Sequence, residues 1–575
     1  MTSATLTEAV HRASTIAGND LGYRFIDRKE QETWHSFQTV AERSACIAAG
    51  LWERGVRPGE TVAIVLPTSH DFIDVFFACN HIGAIPVPMY PPVRLGRLDE
   101  YYERTAGMLK AAQARLVLTD ARVGKLLGRV LKHAVPPLGM CRVSDVLHTE
   151  PIDPHRSKAD DIAMVQFSSG TTGTPKPVAL THNHVISNAM AILDKLTEKG
   201  PEQPSGVSWL PLYHDMGLIG CVFPAVLLPG DLTLIPPEVF LAKPAIWLRT
   251  LSKHRATISP APNFAYALCV ERIRDADLDG CDLTDWLYAL NGAEPISPAT
   301  MRAFHNRFEK WGLRAEAMTP VYGLSEAALA VTVSDWNAQH RTILLDRNAL
   351  LDGDIKESPD GVELTSVGQT LPGFEIDVRS PDGNSLPECS VGRIWACGPS
   401  IMDKYLNDTP APRDGDWLDT GDLGFIHNKE LYITGRAKDV IVIRGRNHTP
   451  QSLESAIESV PGVRIGCTAA VGDISEDGEQ VIVFVEKREG DRETFAEECR
   501  QAVLAATGVD PDLVIPLEPG TLPRTSSGKI RRSEALTRWK RGTLFPPESV
   551  NAMRVAGAIA RSLWTEWQHR VRPNA

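Results

Sequence analysis

Short apolar runs alternate along the chain with segments whose apolar residues recur at helical spacing. Thr61–Leu66 predicts a buried strand, Asp71–His81 predicts a helix, and Ile85–Met89 predicts a second strand. A strand–helix–strand rhythm is typical of parallel sheets covered by helices, and it indicates an α/β fold. Similar cycles recur around four further apolar runs: Leu116–Leu118, Gly206–Leu210, Leu232–Ile235 and Leu287–Asn291.

The rhythm changes after a short strand predicted over Glu430–Ile433. Beyond it the pattern is smaller and of α+β type, with strands and helices predicted over Val440–Ile443, Gln451–Val460, Cys467–Val471, Gln480–Val485 and Asp491–Ala506. We place a domain boundary at Arg436–Lys438. The predicted organisation is therefore an N-terminal domain over 1–436 and a C-terminal domain over 437–545.

A terminal amphipathic helix is predicted within residues 546–575. From Ser549 to Val571, apolar residues such as Met553, Leu563 and Trp567 form one stripe. The stripe either packs on the protein itself or docks on a partner or a membrane surface.

Composition narrows the functional class. The chain has 575 residues, too many for one core, and its formal net charge of −12 disfavours a nucleic-acid binder. Ten cysteines without a Cys-x-x-Cys pair favour a reducing cytoplasm. The N-terminus lacks a secretory pattern, and the longest apolar region, Gly217–Leu228, is shorter than the roughly 20 residues that span a bilayer. We expect a cytoplasmic protein without a transmembrane segment.

The segment Phe167–Lys176 is the first candidate for chemistry. Its glycines, serines and threonines follow the apolar run Ile162–Phe167, and such a loop can direct backbone N–H groups, hydroxyls and one lysine at phosphates. It is not a Walker loop, because Pro175 separates the last glycine from Lys176. Taken alone, such a pattern is more often that of a plain turn.

Six further segments follow this loop in order: Trp209–Leu218, Asn291–Glu294, Val321–Glu326, Leu418–Gly424, Tyr432–Asp439 and Pro523–Ile530. Together the seven resemble the acyl-adenylate-forming superfamily of acyl-CoA ligases, peptide-synthetase adenylation domains and luciferases, over about residues 20–540. The resemblance implies a large N-terminal domain of parallel and mixed sheets covered by helices, with a β-subdomain, and a small mobile α+β C-terminal domain. It also implies ATP and Mg²⁺ as cofactors.

A narrower resemblance points to the fatty acyl-AMP ligases. It rests on Pro86–Arg94, Ala261–Tyr266, Pro320–Leu329 and Arg444–Gln451. It implies activation of a fatty acid to acyl-AMP with release of pyrophosphate, followed by transfer to an acyl carrier protein in lipid, polyketide or peptide biosynthesis. These ligases carry an inserted segment that hinders domain rearrangement or coenzyme entry, and about 342–365 fills its place here. A plain surface loop is the alternative.

The resemblance also implies roles for single residues. Lys529 touches the carboxylate and the α-phosphate, His214 gates or orients the acyl group, and Glu326 holds Mg²⁺. Tyr322 stacks on adenine and Asp422 binds the ribose hydroxyls. The expected nucleotide-binding residues are Ser168, Ser169, Gly170, Thr171, Thr172, Gly173, Lys176, Gly292, Ala293, Glu294, Tyr322, Gly323, Ser325, Asp422 and Arg436.

Three further expectations concern the acyl group, the hinge and the carrier. The expected acyl pocket includes Met216, Ala261, Asn263, Phe264 and Ala265, and Lys438 matches the family's hinge. An acidic carrier calls for a basic dock, and the expected cluster is Arg524, Arg531, Arg532, Arg538, Lys540 and Arg541.

One position departs from the superfamily pattern. Pro177 stands where relatives commonly have glycine, and it removes a backbone donor after Lys176. Three alternative functions stay open at this point: an ordinary acyl-CoA ligase, a ligase for aryl or amino acids, and a non-catalytic adenylate-binding scaffold.

Overall fold

The computed structural model describes residues 3–92, 97–130, 133–168, 175–198, 200–336, 338–443, 446–458, 460–475, 478–488, 492–525 and 528–547. The predicted helix over Ser549–Val571 and the loop residues Ser169, Gly170, Thr171, Thr172 and Gly173 lie outside the described residues.

A four-stranded parallel sheet lies near the N-terminus. The elements up to residue 168 are α1 (Leu6–Ala17), β1 (Gly22–Ile26), β2 (Glu32–Ser36), α2 (Phe37–Glu53), β3 (Thr61–Val65), α3 (His70–His81), β4 (Ile85–Pro88), α4 (Leu98–Ala111), β5 (Leu116–Thr119), α5 (Ala121–Leu127), β6 (Met140–Arg142) and β7 (Ile162–Phe167). The sheet has the order β4–β3–β5–β6. Every residue of β3 is buried, as the unbroken apolar run predicts for a strand covered on both faces.

The next elements alternate strands and helices. They are β8 (Pro177–Thr181), α6 (His182–Thr197), β9 (Gly206–Ser208), α7 (Asp215–Gly217), α8 (Phe223–Leu227), β10 (Leu232–Leu234), α9 (Pro237–Ala242), α10 (Ala245–Lys253), β11 (Ile258–Ala261), α11 (Asn263–Arg272), β12 (Tyr288–Asn291), α12 (Pro298–Phe308), β13 (Met318–Gly323) and β14 (Ala330–Val333). A π-helical turn over Leu218–Val222 joins α7 to α8.

Antiparallel strands follow. They are β15 (Thr342–Leu345), β16 (Val362–Thr365), β17 (Gln369–Thr370), β18 (Glu375–Arg379), β19 (Gly392–Cys397), β20 (Arg413–Asp414), β21 (Trp417–His427) and β22 (Glu430–Arg436), with α13 (Arg347–Leu351) between β15 and β16. Strands β18 to β22 form one five-stranded sheet. The predicted insertion is therefore a hairpin, β15 paired with β16, that carries a short helix at its tip.

The largest sheet has nine strands in the order β17–β14–β13–β12–β11–β9–β10–β1–β2. Its six central strands, from β13 to β1, are parallel, and antiparallel strands flank them at both edges. The carboxyl ends of parallel strands meet at one edge of a sheet, and ligands bind there in open α/β folds. The loops after β12 and β13 are therefore placed side by side.

The smaller C-terminal domain has its own cores. Its elements are β23 (Ile441–Ile443), β24 (Arg446–His448), α14 (Pro450–Ile457), β25 (Val463–Ser475), β26 (Gly478–Lys487), α15 (Arg492–Thr507), β27 (Leu513–Leu517) and α16 (Arg532–Lys540). One core holds Leu453, Val483 and Val503, and a second holds Phe484 and Leu522. Neither core shares a residue with the cores of the larger domain.

The predicted fold class is confirmed: a large N-terminal domain of parallel and mixed sheets with a β-subdomain is followed by a smaller α+β domain. Strand β22 ends at Arg436, where we expected the boundary; the exact limits 1–436 and 437–545 stay a prediction. Within the described ranges, no helix is long and apolar enough to cross a membrane.

Candidate active site

A cavity of about 450 Å³, called the main cavity below, lies between the two domains. Loops after β7, β12 and β13 and the β21–β22 sheet line it, and Lys529 reaches it from the smaller domain. The expected residues in its lining are Ser168, Lys176, His214, Met216, Ala293, Tyr322, Gly323, Ser325, Glu326, Arg436, Lys438 and Lys529. Asp419, Thr420 and Gly421 also line it, so the fold brings residues from all seven sequence motifs to one space.

The two described ends of the candidate phosphate loop are tied together. The Ser168 N–H donates to the Lys176 carbonyl at 3.0 Å, and the Lys176 N–H donates to Ser168 Oγ at 3.3 Å. Pro177 is the first residue of β8, a position that tolerates proline, and its carbonyl accepts from the Leu406 N–H. Lys176 Nζ lies 4.9 Å from the centre of the Tyr405 ring, so its ammonium is held beside the cavity.

The loops after β12 and β13 are shaped by close backbone approaches. Ala293 adopts a left-handed φ of 69°. A Cβ on Gly323 would lie 1.8 Å from the Leu329 carbonyl oxygen, so only glycine fits there. Glu294 has a side-chain contact of its own: its carboxylate accepts from the Phe264 N–H at 2.5 Å, and burial raises its pKa.

Tyr322, Asp422 and Arg436 form one hydrogen-bonded group. The Tyr322 hydroxyl donates to Asp422 Oδ2 at 2.8 Å, and Arg436 Nε lies 3.0 Å from Asp422 Oδ1. Burial, reinforced by the Asp422 charge, raises the pKa of Tyr322 well above its usual value. The carboxylate is therefore oriented from both sides, and a ribose would share it with Tyr322 and Arg436.

Asp215 is a buried carboxylate that links three parts of the site. His214 Nδ1 lies 2.6 Å from Asp215 Oδ1, the Ser325 hydroxyl donates to Oδ2, and the Met216 N–H donates to Oδ1 at 2.7 Å. Burial opposes ionisation, but His214 and the Ser325 hydroxyl outweigh it and hold the pKa of Asp215 well below its usual range. Lys529 acts in the same direction.

Glu326 offers a hard oxygen ligand at the wall of the main cavity. Its Oε1 accepts from the Tyr405 hydroxyl at 3.2 Å, and burial raises its pKa. A buried carboxylate whose charge is disfavoured by its surroundings fits a cation, and carboxylate oxygen is a ligand that Mg²⁺ prefers.

Lys529 is the cation that the smaller domain contributes. Burial lowers the pKa of its ammonium, and the nearby Arg436 guanidinium acts in the same direction. The Asp215 and Glu294 carboxylates oppose this effect. Its loop is braced, because the Lys529 N–H donates to Thr525 Oγ1 at 3.0 Å and its carbonyl accepts from the Thr525 N–H at 2.8 Å.

A second space, called the interdomain groove below, has a volume of about 1430 Å³. Phe264, Tyr90 and Leu241 line it from the larger domain, and Arg531 and Arg538 line it from the smaller one. The groove and the main cavity share four wall residues: His214, Met216, Ala293 and Lys529. The expected catalytic residues thus stand where the two spaces meet.

Some of the residues expected in the acyl pocket line the two spaces, and the others are buried in the protein core. Met216 lines both spaces and Phe264 lines the groove. Ala261 and Ala265 are fully buried in the core, and the Asn263 side chain accepts from Asn291 and the Ser297 N–H. These three residues support the wall of the site and do not line either space.

Sequence reasoning missed several residues of the site. Asp215 and Tyr405 hold His214 and Glu326, and an apolar arm of the main cavity is lined by Ile192, Leu196, Leu290, Leu329 and Val333. Asp215 adjoins His214 in the sequence, which is a detectable signal. The arm combines α6 with β12 and β14, and only the tertiary fold shows that combination.

Most cations of the expected basic dock are engaged in contacts within the protein. Arg524 donates to the Gly466 and Gly528 carbonyls at 2.6 and 2.7 Å. Four other cations are ion-paired, as Arg531–Glu534, Arg532–Glu454, Arg538–Glu100 and Lys540–Asp473. Most of the linear charge cluster is therefore paired with acidic residues, of which Glu454, Glu100 and Asp473 are distant in sequence and Glu534 is local.

Comparison with known proteins gives the family. The model of the AMP-binding enzyme family matches residues 16–406. This chain belongs to that family. It is an acid-activating, adenylate-forming ligase, as the ordered motifs predict, and enzymes of this kind use ATP.

Three relatives align over nearly the whole chain of this AMP-binding enzyme. A putative acyl-CoA synthetase of Caulobacter vibrioides is 34% identical over 94% of this chain and 96% of its own. A 4-hydroxyphenylalkanoate adenylyltransferase of Mycobacterium tuberculosis is 31% identical over 94% and 92%. JamA, a medium-chain-fatty-acid–[acyl-carrier-protein] ligase of Moorena producens, is 31% identical over 97% and 99%.

A solved structure has the same architecture. It comes from work on fatty acyl-adenylate ligases of E. coli and L. pneumophila, and it superposes with a TM-score of 0.86 at 31% identity. The match covers 94% of this chain and 98% of that one. Both domains of the AMP-binding enzyme are thus found in a relative of similar length.

Proposed function

We propose that this protein is a fatty acyl-AMP ligase that passes its acyl group to an acyl carrier protein. One observation carries the proposal: the main cavity and the interdomain groove meet at His214, Met216, Ala293 and Lys529. A two-step reaction needs such a junction, because the acyl-adenylate formed in one space must be reached by an acceptor from the other. JamA, a ligase of this kind, aligns over almost the whole chain.

The first step joins two anions. A carboxylate oxygen of the fatty acid attacks the α-phosphorus of ATP, the bond to the β-phosphate oxygen breaks, and pyrophosphate leaves with the electron pair. Positive charge at the meeting point lowers this barrier most in a site that excludes water. The buried ammonium of Lys529 supplies that charge. Burial lowers the pKa of that ammonium, and in the same buried setting its charge acts most strongly on the two substrate anions.

The nucleotide lies across the main cavity in this proposal. Asp422 accepts from the ribose hydroxyls, and Arg436, already 3.0 Å from its carboxylate, fixes its orientation. Tyr322 and the backbone at Ala293 flank the base. Ser325 and the tied ends of the phosphate loop, Ser168 and Lys176, face the phosphates.

Glu326 would hold Mg²⁺, with the Tyr405 hydroxyl on its other side. When bound, the ion partly neutralises the phosphates of ATP. Asp215 keeps His214 and Ser325 in place beside the reacting groups, because its two carboxylate oxygens bind both.

The acyl chain enters the apolar arm of the main cavity. Leu290, Leu329 and Val333 from the strand region and Ile192 and Leu196 from α6 line the arm. Met216 stands between this arm and the groove. An alkyl chain gains about 0.8 kcal/mol for each methylene it buries, so an arm of this lining selects fatty acids by length.

The acceptor approaches through the interdomain groove. The inserted hairpin supports an acceptor other than free coenzyme A, because it contacts the smaller domain: Arg446 Nη1 donates to Asn348 Oδ1 at 3.1 Å. That contact joins α13 of the larger domain to β24 of the smaller one, at the place where the family's inserted segment is expected. An acyl-CoA ligase is the second candidate, favoured by the name of the Caulobacter relative.

Mass spectrometry of the products tests both candidates. The wild type is incubated with ATP, Mg²⁺ and acids from hexanoate to palmitate, alone, with coenzyme A, or with carrier protein. We expect acyl-AMP alone, and acyl-carrier only when carrier is present. Predominant acyl-CoA would establish the second candidate, and no product from any acid would refute both.

Lys529→Ala tests the catalytic assignment in the same assay. Loss of the charge at the reacting centre should lower acyl-AMP formation by about 10²- to 10³-fold, the usual effect of deleting one such electrostatic group. Lys540→Ala is the matched control, because Lys540 lies in the same domain and pairs with Asp473 away from the cavity. Full activity of Lys529→Ala would contradict the mechanism.

A further inference from the structure

A charged contact joins the two domains beside the interdomain groove. Arg538 on α16 donates from Nη1 to Glu100 Oε1 at 2.7 Å and from Nη2 to Glu100 Oε2 at 2.9 Å. Glu100 belongs to the first turn of α4 in the larger domain. A bidentate arginine–carboxylate pair fixes orientation as well as distance, so it sets the angle between these two helices.

Arg97 strengthens the same contact from the larger domain. Its Nη2 lies 3.3 Å from the Gly520 carbonyl, 3.0 Å from the Thr521 carbonyl and 3.1 Å from the Phe545 carbonyl. Its side chain is only 12% exposed. One guanidinium therefore holds the chain of the smaller domain on both sides of the segment that carries Lys529.

This contact is mechanically linked to Lys529. Lys529 lies between Thr521 and the start of α16 at Arg532. The Arg531 N–H donates to the Pro523 carbonyl at 2.9 Å, and Leu522 and Ala535 are fully buried in one core. The lysine loop and α16 consequently move as one body, and the position of Arg538 determines the position of Lys529.

We propose that Arg97, Glu100 and Arg538, called the α4–α16 contact, are positioning residues for the first half-reaction. They hold the smaller domain so that Lys529 reaches the main cavity, and they part when the acyl group is transferred. The inference rests on the proposed two-step function. The pair is suited to reversible use, because the Glu100 side chain is 49% exposed and such pairs shift an equilibrium by only about two- to fivefold.

Arg538 has a different role here from the one that the linear sequence suggests. The linear sequence suggests a cation for docking a carrier, and its removal would then impair only the second half-reaction. The α4–α16 contact predicts the reverse: removal impairs adenylation and leaves transfer intact. Measuring the two half-reactions separately distinguishes these roles.

The test uses Glu100→Gln, Arg538→Gln and the double variant of the full chain. Adenylation is followed by fatty-acid-dependent pyrophosphate exchange, and transfer is followed from supplied acyl-AMP to carrier protein. We expect each single variant to lose about threefold to fivefold in exchange, the double variant to lose no more than a single one, and transfer to be equal or faster. Arg500→Gln is the matched control, because Arg500 pairs with Asp510 inside the smaller domain.

Hydrogen–deuterium exchange gives a readout that needs no activity. Without substrates, the Glu100 and Arg538 variants should take up deuterium faster in α4 and around Gly520–Leu522, while Arg500→Gln should not. Equal losses in both half-reactions, additive losses in the double variant, or unchanged deuterium uptake would overturn the proposal. If the wild type showed no fatty-acid-dependent pyrophosphate exchange, the proposed function would be refuted instead. The deuterium uptake would still show whether the α4–α16 contact holds the two domains together.

Discussion

A glycine helps to shape the apolar arm of the main cavity. Gly220 lies in the π-helical turn after α7 and lines the cavity, and a Cβ there would come within 2.8 Å of Leu329 Cδ2. The neighbouring atom is the end of a flexible side chain, so a small substituent displaces it, whereas a large one occupies the arm itself.

We therefore expect Gly220→Leu to restrict the enzyme to fatty acids with shorter chains. Its kcat/KM for dodecanoate and longer acids should fall roughly tenfold or more, while that for hexanoate should change little, because only the longer chains reach the narrowed part. Gly220→Ala is the matched control and should show a weaker form of the same trend. A uniform loss across all chain lengths would place the acyl chain outside the arm.

At the scale of single residues, the motifs predicted which side chains meet but not how they are held. Lys529, His214, Tyr322 and Ser325 all reach the main cavity. The Glu294 carboxylate accepts from the Phe264 N–H near the start of α11, a pairing that the motif does not predict, and its expected backbone contact with the base stays a prediction. Such pairings depend on the loops after β12 and β13 and are not visible in a linear pattern. The roles assigned to the individual site residues stay predictions.

At the scale of elements, the packing of helix α6 on α1 involves a histidine that must be neutral. His182, its first residue, is buried, and its Nδ1 accepts from the Leu6 N–H of α1 at 3.2 Å. Protonation at Nδ1 would place two donors face to face. Burial accordingly lowers the pKa of His182 to about 4 from its usual value of 6.5.

This contact between α1 and α6 should make the stability of the protein depend on pH. His182 has a depressed pKa in the folded state, so its contribution to stability is present above about pH 6.5 and is lost as the pH falls toward about 4. The loss is at most about 3.5 kcal/mol, since one pKa unit corresponds to about 1.4 kcal/mol.

His182→Asn should flatten that dependence, because its amide oxygen can accept from Leu6 at any pH. The free energy of unfolding, measured by urea titration from pH 7.5 to 4.5, checks this prediction. His133→Asn, at an exposed position, should leave the slope unchanged. An unaltered slope in His182→Asn would assign the acid sensitivity to other groups.

Elements were predictable where a strand is buried on both faces. β3, β4 and α3 occur within one or two residues of their predicted bounds, because burial demands an uninterrupted apolar run or a helical stripe. β25 is longer than predicted, extending over Val463–Ser475, since its ends pair with β26 through polar residues. The short edge strands β17 and β20 carry too few residues to produce a pattern.

For the whole molecule, the hinge at Lys438 is the assignment most open to test. Lys438 follows the end of β22 and lines the main cavity. Proline fixes φ and would restrict rotation there. We expect Lys438→Pro to slow acyl transfer by about tenfold while adenylation changes less than about threefold, because the structure already holds Lys529 in the cavity.

Lys438→Ala distinguishes the effect of restricted backbone rotation from the effect of losing the lysine charge. It removes the ammonium but leaves the backbone free, so transfer should stay near the wild-type rate. Rapid-quench measurement of the two half-reactions checks both variants. If Lys438→Pro slowed adenylation and transfer alike, the pivot would lie elsewhere in the chain.

The placement of Lys529 has a consequence for biosynthesis of the enzyme. Apart from Lys529, the residues that line the main cavity fall within 168–439, and Lys529 comes from a later part of the chain. During translation, the larger domain can fold and bind ATP long before that lysine leaves the ribosome. A nascent chain that has not yet reached Lys529 therefore lacks the ammonium that the proposed mechanism places at the reacting groups.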